Sequence, residues 1–187
     1  MARSICAFVL RLVGWRPEGR TPAARRFVLI AFPHTSNWDL PLLLLFARVY
    51  GVRVSWMGKH TLFRGPMGWI MRGLGGVPVR RDRSNDLVSQ MAAVIEENDR
   101  IALTVPAEGT RGYTTHWKSG FYHIARAAEV PVVLGFLDYA RKRGGLGPEI
   151  VLTGNVREDM DEIRAFYAGK QGRYPDKVGE ILLKEES

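Results

Sequence analysis

The stretch with the clearest chemical potential runs from His34 to Asp39, between an apolar segment at 26–32 and a second one at 40–46. The first segment has the length of a β-strand, and the second continues to Gly51 with the length of a buried helix. A strand-to-helix turn can fold the chain back so that His34 and Asp39 meet. A carboxylate bonded to one imidazole nitrogen leaves the other nitrogen free as a base.

The same stretch also fits a purely structural role. Ser36, Asn37 and Asp39 are residues typical of helix N-termini. His34 can satisfy a single hydrogen bond at the strand end. The six residues alone therefore leave catalysis and helix capping open.

A second informative stretch is Glu108-Gly109-Thr110-Arg111. Glu108 can accept hydrogen bonds from hydroxyl groups, and Arg111 can bind phosphate through two parallel hydrogen bonds. Gly109 permits a positive φ or a close approach of the backbone to a ligand. Further positive charge is available from Lys59, Arg80 and Arg81. These residues suit a pocket for a polyol phosphate, although the stretch alone also fits a solvated loop with an internal ion pair.

The chain has 187 residues, enough for one domain with a sizeable core, and a formal net charge of +8. That charge favours nucleic acid, anionic lipid headgroups or phosphorylated substrates, or it serves solubility alone. Cys6 is the single cysteine, which excludes an internal disulfide and indicates a reducing compartment.

The N-terminal residues 5–15 are apolar but interrupted by Arg11, and no stretch has the roughly 18 apolar residues of a membrane span. They predict an amphipathic helix that either anchors at a membrane surface or packs on its own domain. In the anchoring interpretation Trp15 lies at the interface, and the headgroups are contacted by Arg3, Arg11, Arg16 and Arg20. Residues 16–25 are predicted to be a linker, so we divide the chain into an N-terminal segment, 1–25, and a domain, 26–187.

Within that domain, apolar runs and breaker residues predict alternating strands and helices. Strands are predicted at 26–32, 52–57, 77–79, 101–105 and 131–137, with another beginning at 150. Helices are predicted at 39–50, 66–72, 84–98, 119–128, 158–168 and 175–185. A loop is expected at 58–60, a basic turn at 141–145, and a sheet edge at Pro78.

This alternation predicts an α/β single-domain sandwich with a mixed, partly parallel sheet flanked by helices. Sites in such sheets gather beyond the carboxyl ends of the strands. The candidate residues of both informative stretches, together with Lys59 and Arg81, all follow predicted strands. This placement favours a functional site over isolated structural roles.

Four ordered motifs show that the chain resembles the glycerolipid acyltransferase superfamily. The first motif of that superfamily, His followed by four residues and Asp, matches His34 to Asp39. Its second motif, a Gly-rich turn followed by a short strand and an Arg, is similar to 75–81 and puts Arg81 at the Arg position. The third, Pro-Glu-Gly-Thr-Arg, resembles 107–111 with Ala in place of Pro, and the fourth, a Val-Pro-Val-Val strand, matches 130–133.

The resemblance implies that His34 is the base and that Asp39 orients it. An acceptor hydroxyl then attacks an acyl thioester without an acyl-enzyme intermediate. The resemblance also implies a set of contacts for the phosphate and glycerol part of the acceptor: Arg81, Glu108, Gly109, Thr110 and Arg111, with Lys59 as a helper. An apolar groove for the acyl chain is expected near Leu62, Phe63, Trp69 and Ile70.

The expected reaction transfers an acyl group from acyl-CoA or acyl carrier protein to a lysophospholipid, with 1-acylglycerol-3-phosphate favoured and other glycerolipids or alcohols left open. No cofactor or metal is expected. We expect a peripheral protein at an anionic membrane surface, on its cytoplasmic face; the sequence predicts no oligomeric state. The alternatives are a non-catalytic lipid-binding relative and a nucleic-acid binder, and no recognition motif supports the latter.

Overall fold

The computed structural model describes residues 2–79 and 87–186. In these residues, seven strands form one sheet and six α-helices cover its faces. The strands are β1 (Arg16–Gly19), β2 (Arg26–Phe32), β3 (Val54–Lys59), β4 (Gly76–Val79), β5 (Ile101–Val105), β6 (Val132–Asp138) and β7 (Arg143–Ile150). The helices are α1 (Ala2–Leu12), α2 (Asp39–Tyr50), α3 (Gly65–Gly73), α4 (Leu87–Glu96), α5 (Gly120–Ala127) and α6 (Val156–Tyr167).

The sheet has the strand order β1-β7-β6-β2-β5-β3-β4. The five strands from β6 to β4 run parallel, whereas β7 is antiparallel to β6 and β1 is parallel to β7. The predicted α/β fold with a mixed, partly parallel sheet is therefore confirmed. Pro78 lies in the edge strand β4, as its missing N–H predicts.

Two apolar cores lie on opposite faces of the sheet, and β2 contributes to both because it is buried on both sides. Phe27 and Leu29 face the core under α1 and α2, whereas Val28 and Ile30 face the core under α4, α5 and α6. Helix α2 ends at Gly51, which caps it in the left-handed conformation with φ 68°. These packed layers fix the turn between β2 and α2 in place.

Two segments predicted to be irregular belong to the sheet. Residues 16–19, predicted to be linker, form β1, and the basic turn predicted at 141–145 includes the start of β7. A Cβ on Gly145 would lie 1.9 Å from the carbonyl oxygen of Glu18, so the close approach of β1 and β7 requires glycine there. Both strands are rich in glycine and polar residues, so neither shows the apolar pattern that predicts a strand. The strand predicted to begin at 150 instead ends there.

Two other predictions differ from the structure. Lys59, predicted to lie in a loop, is the last residue of β3, which extends two residues beyond the predicted strand. The helix predicted at 175–185 is wrong, because the structure has only short 3-10 turns at Pro175–Lys177 and Lys184–Glu186. The predicted helix start at 84–86 lies outside the described residues.

Helix α1 packs against α2 and buries Leu10. Trp15 is also buried, with its ring centroid 6.0 Å from that of Phe46 and 4.9 Å from that of Tyr139. The predicted place of Trp15 at a membrane interface is therefore wrong. The other side of the N-terminal segment exposes Ile5, Phe8, Leu12 and Val13. In the described part of the chain, no helix is long and apolar enough to cross a bilayer.

Candidate active site

Four parallel strands bring the candidate residues to one edge of the sheet. His34 follows β2, the stretch 108–111 follows β5, Tyr139 follows β6, and Lys59 ends β3. Because parallel strands end at the same edge, segments distant in sequence meet there. This edge is the candidate active site.

His34 and Asp39 form a hydrogen-bonded pair, with 3.0 Å between His34 Nδ1 and Asp39 Oδ2. An ionised carboxylate only accepts hydrogen bonds, so the proton lies on Nδ1 and the lone pair lies on Nε2. Asp39 is buried, and the His34 side chain retains 25% of its accessible surface. The pair therefore has the arrangement of an oriented general base.

The carboxylate of Asp39 holds the turn as well as the imidazole. Its Oδ2 also accepts hydrogen bonds from the backbone N–H groups of Thr35 (3.0 Å) and Ser36 (2.9 Å). Helix α2 has Trp38 as its N-cap residue, without a side-chain capping bond. The helix-capping interpretation therefore fails for Asp39, which points back to the turn and to His34, whereas Ser36 Oγ accepts a hydrogen bond of 3.2 Å from the Trp38 N–H.

Tyr139 completes the environment of Asp39. Its hydroxyl donates a hydrogen bond of 2.6 Å to Asp39 Oδ1, the oxygen that does not contact His34. Burial, and then the hydrogen bond to Asp39, raise the pKa of Tyr139, so it stays a protonated donor. The sequence analysis missed Tyr139; its position just after a strand of the parallel set was the available signal.

Glu108 is buried beneath the His34 turn. Its Oε2 accepts a hydrogen bond of 2.8 Å from the His34 backbone N–H, and Oε1 accepts one of 3.5 Å from Gly179. Burial raises the pKa of Glu108, and the hydrogen bonds from His34 and Gly179 act in the opposite direction. Both carboxylate oxygens thus accept hydrogen bonds from backbone N–H groups, and the predicted binding of an acceptor hydroxyl by Glu108 stays a prediction.

The other predicted binding residues lie around an open cavity of about 540 Å³. Gly109, Thr110, Arg111 and Lys59 line it together with His34. Gly109 has φ 67°, in agreement with the predicted positive φ. In the described residues, neither Lys59 nor Arg111 forms an ion pair. Arg81 lies outside the described residues.

The cavity extends from the dyad into an apolar space between α2 and the sheet. Apolar side chains of both line it: Leu29, Leu43, Phe46, Val54, Leu137 and Leu146. Of the groove residues expected from the sequence, Leu62 lines the cavity and Phe63 is buried, whereas Trp69 and Ile70 are exposed. The apolar space thus lies beneath α2, and no residue of α3 lines it.

The profile of the family described as Acyltransferase matches residues 16–133 of this sequence. The matched range covers more than half of the chain and contains the dyad and the stretch 108–111. The chain belongs to the acyltransferase family. This membership confirms the resemblance inferred from the four motifs.

The acyltransferase fold is also seen in a solved structure, the 1-acyl-sn-glycerophosphate (LPA) acyltransferase PlsC from Thermotoga maritima. The two structures align with a TM-score of 0.55 and 18% sequence identity, over 87% of this chain and 74% of that chain. No curated protein matches this sequence.

Part of the support for the acyltransferase site lies beyond residue 133. A C-terminal strap, residues 171–179, crosses the His34 turn. In this strap, Tyr174 donates its backbone N–H to Thr35 Oγ1 at 3.2 Å, and the Gln171 carbonyl accepts one of 2.9 Å from the backbone N–H of Tyr139. The sequence analysis missed this strap, because its contacts join residues far apart in sequence, 71 positions for Glu108 and Gly179 and 139 for Thr35 and Tyr174, and leave no local pattern.

Proposed function

We propose that this acyltransferase transfers a fatty acyl group from a thioester donor to a hydroxyl of a lysophospholipid, with 1-acylglycerol-3-phosphate as the favoured acceptor. One observation carries the proposal: the apolar cavity beneath α2 leads to the His34–Asp39 dyad. An acyl chain in that space would place its thioester carbonyl beside the base. A binding protein for lipids needs the cavity but not the base.

The dyad performs the chemistry in this proposal. His34 Nε2 takes the proton of the acceptor hydroxyl while the hydroxyl oxygen attacks the thioester carbonyl. Asp39 stabilises the resulting imidazolium through Nδ1, and Tyr139 keeps the second oxygen of Asp39 satisfied. The carbon–sulfur bond then breaks, and the thiolate takes up the proton from His34. The products are the acylated acceptor and a free thiol.

Positive charge at the cavity mouth supports a phosphorylated acceptor. Lys59 and Arg111 line the cavity without an acidic partner in the described part, and an Arg guanidinium can bind phosphate through two hydrogen bonds. We propose Arg81 as a third cation, on the sequence motif alone. In this proposal the main role of Glu108 is to hold the backbone of His34, and its expected binding of the acceptor is a secondary role.

Acyl-CoA or acyl carrier protein serves as donor in this proposal, and no cofactor takes part.

We further propose that the protein binds an anionic membrane surface peripherally, on its cytoplasmic face. The exposed apolar side chains of the N-terminal segment support this contact, together with exposed Arg3 and Arg11. Since deletion of residues 3–16 would also remove the buried Leu10 and Trp15, the sharper test is Phe8→Ser with Leu12→Ser in vesicle binding.

Thiol release from an acyl-CoA, measured with and without lysophosphatidic acid, tests the reaction. Release should depend on the acceptor and disappear in a folded His34→Ala variant. His123→Ala is the matched control, because His123 is an exposed histidine on α5 away from the dyad. Equal release by wild type and His34→Ala would overturn the assignment of the base. If wild type is inactive, acyl carrier protein and other acceptors are tested next, and inactivity with all of them would contradict the proposal.

A further inference from the structure

Helix α3 and the turn before it expose an apolar surface that no described side chain covers. We define the α3 surface as Leu62, Met67, Trp69, Ile70 and Leu74, all exposed in the structure. Trp69 retains 82% of its accessible surface, an unusual exposure for the largest apolar side chain. Five exposed apolar side chains within 13 consecutive residues indicate an interaction site.

The sequence segment that carries the α3 surface has basic residues but no acidic ones, and we call these basic residues its rim. Residues 59–79 contain no Asp or Glu, but they contain Lys59, Arg64 and Arg72. Lys59 and Arg64 are exposed, and the Arg72 guanidinium lies 5.6 Å from the centroid of the Phe63 ring at the base of the surface. Exposed Trp and aliphatic side chains with a basic rim suit the boundary between anionic headgroups and acyl chains.

The α3 surface adjoins the active-site cavity. Leu62, from the surface, and Lys59, from its rim, both line the same cavity as His34. A molecule that reaches His34 past Leu62 therefore meets an apolar side chain and a cation together. This combination matches a lysophospholipid, which carries an acyl chain and an anionic headgroup.

The α3 surface also lies on the face of the sheet that carries α1 and α2. Phe63 packs on Trp56 of β3, with ring centroids 6.0 Å apart. Trp56 is two residues from Val54, so both side chains point to the same face, and Val54 belongs to the core under α1 and α2. The exposed apolar residues of α1 and α3 are thus parts of one helical layer, with the cavity beneath it.

We propose that the α3 surface is a second membrane-contacting element, which inserts into an anionic bilayer and opens the cavity mouth to acceptor lipid. The inference rests on the proposed function and extends it: α3 supplies contact and substrate entry, whereas α1 supplies contact alone. The bilayer is favoured over a protein partner because the cationic rim complements anionic headgroups and because the surface borders the entry route of an amphiphile.

Vesicle co-sedimentation tests the contact. The double variant Trp69→Ser and Ile70→Ser should bind phosphatidylglycerol-containing vesicles at least about ten-fold more weakly than wild type. Val151→Ser is the matched control, since Val151 is 78% exposed directly after β7 and outside the α3 surface. Wild-type affinity should fall on pure phosphatidylcholine. Unchanged binding by the folded double variant would overturn the proposal.

Fluorescence quenching by brominated acyl chains tests insertion directly. Wild type on brominated phosphatidylglycerol vesicles should be quenched, and Trp69→Phe should lose most of that quenching while it keeps vesicle binding. Trp38→Phe is the control, because Trp38 is also exposed but lies at the start of α2. Quenching that persists in Trp69→Phe would show that Trp69 stays outside the bilayer and would contradict insertion.

Turnover separates this inference from the proposed function. The double variant should keep the wild-type rate with a short-chain, water-soluble acceptor and lose at least about ten-fold with an acceptor embedded in vesicles. Equal losses on both acceptors would contradict a role in substrate entry. Wild type that binds vesicles through α3 but transfers no acyl group would refute the proposed function alone.

A wild-type dimer that becomes monomeric in the double variant, with vesicle binding unchanged, would assign the surface to self-association and overturn the proposal.

Discussion

The Glu108 carboxylate accepts a hydrogen bond of 2.8 Å from the backbone N–H of His34, across 74 positions of sequence. This contact joins the turn after β5 to the turn after β2. It indicates that an acidic residue in the third motif can act on catalysis through the backbone of the base, without touching substrate. We therefore propose Glu108 as a positioning residue.

Replacement of Glu108 should lower turnover more than acceptor binding. Glu108→Ala leaves the His34 N–H without its acceptor, which should cost about 1–3 kcal/mol of stability. We expect kcat to fall at least about ten-fold with a small change in the acceptor KM, since the base is displaced and the cavity cations remain. Glu108→Gln keeps an acceptor oxygen and should recover most of the loss. A rise in KM at constant kcat would instead indicate that Glu108 binds the acceptor.

The pH dependence of stability also reports on Glu108. Burial raises its pKa in the folded state above the ordinary value of 4.5. The folded protein therefore binds this proton more tightly than the unfolded chain, and the contribution to stability is lost as pH rises from 4.5 through the raised pKa. Urea unfolding between pH 4 and 7 should show this decline in wild type, and Glu108→Gln should lack it. Identical profiles would contradict the assignment.

Tyr139→Phe should slow the reaction without unfolding the protein. The substitution removes the donor to Asp39 Oδ1 and leaves the ring packed against Trp15. We expect kcat to fall by about ten-fold, or about 1.4 kcal/mol, with acceptor KM unchanged. Tyr113→Phe is the control, because Tyr113 is exposed in the loop after β5. Full activity of Tyr139→Phe would show that Asp39 needs no second support.

Asp39→Asn should abolish most of the activity. The amide can donate a hydrogen bond to Nδ1, so the His34 proton moves to Nε2 and the base loses its free lone pair. We expect kcat to fall by about a thousand-fold or more, by analogy with other His–Asp pairs. Single-turnover rates measure the chemical step, and near-UV circular dichroism checks the fold. A loss below ten-fold would show that Asp39 does not set the tautomer.

Asp159 should control stability in acid. The carboxylate is buried and accepts hydrogen bonds from the Tyr122 hydroxyl (2.7 Å) and from the backbone and hydroxyl of Thr153 (3.0 and 2.9 Å). Burial would raise the pKa of Asp159, but the hydrogen bonds from Thr153 and Tyr122 outweigh it, so the pKa lies below the ordinary 3.8. Its stabilisation is present above pH 3.8 and is lost as pH falls towards the folded pKa.

Asp159→Asn should therefore cost about 2–3 kcal/mol at neutral pH, measured by urea denaturation, and the difference from wild type should shrink below pH 3.8. Asp161→Asn is the matched control on the same helix, since its side chain is exposed beside Arg164. A cost that stays constant down to pH 2 would contradict the role of the charged form.

Local sequence patterns were enough to predict the centre of the fold. The apolar run before His34 corresponds to β2, because a strand buried on both sides is a continuous apolar segment. The run that ends at Gly51 corresponds to α2. The spacing of His34 and Asp39 also predicted their contact, because both residues lie in the same strand-to-helix turn. The signals were strong wherever partner residues are close in sequence.

Contacts between distant segments escaped prediction. The pairing of β1 with β7 depends on glycine at positions such as Gly145, where composition alone indicates a turn. The inward direction of the Glu108 carboxylate depends on Gly179 and on the turn at His34. Nothing in the residues next to Tyr139 indicates its contact with Asp39, which depends on the position of β6 in the sheet. In each case the partner is set by the sheet order and not by neighbouring residues.

The C-terminal strap has a consequence for how the enzyme is made. Residues 171–179 contact Thr35, Tyr139 and Glu108, yet they are synthesised after all three. A nascent chain still on the ribosome can form β2 and α2 while the turn between them lacks its final contacts. A product that terminates before residue 171 would therefore carry His34 and Asp39 without these contacts to the surrounding turns.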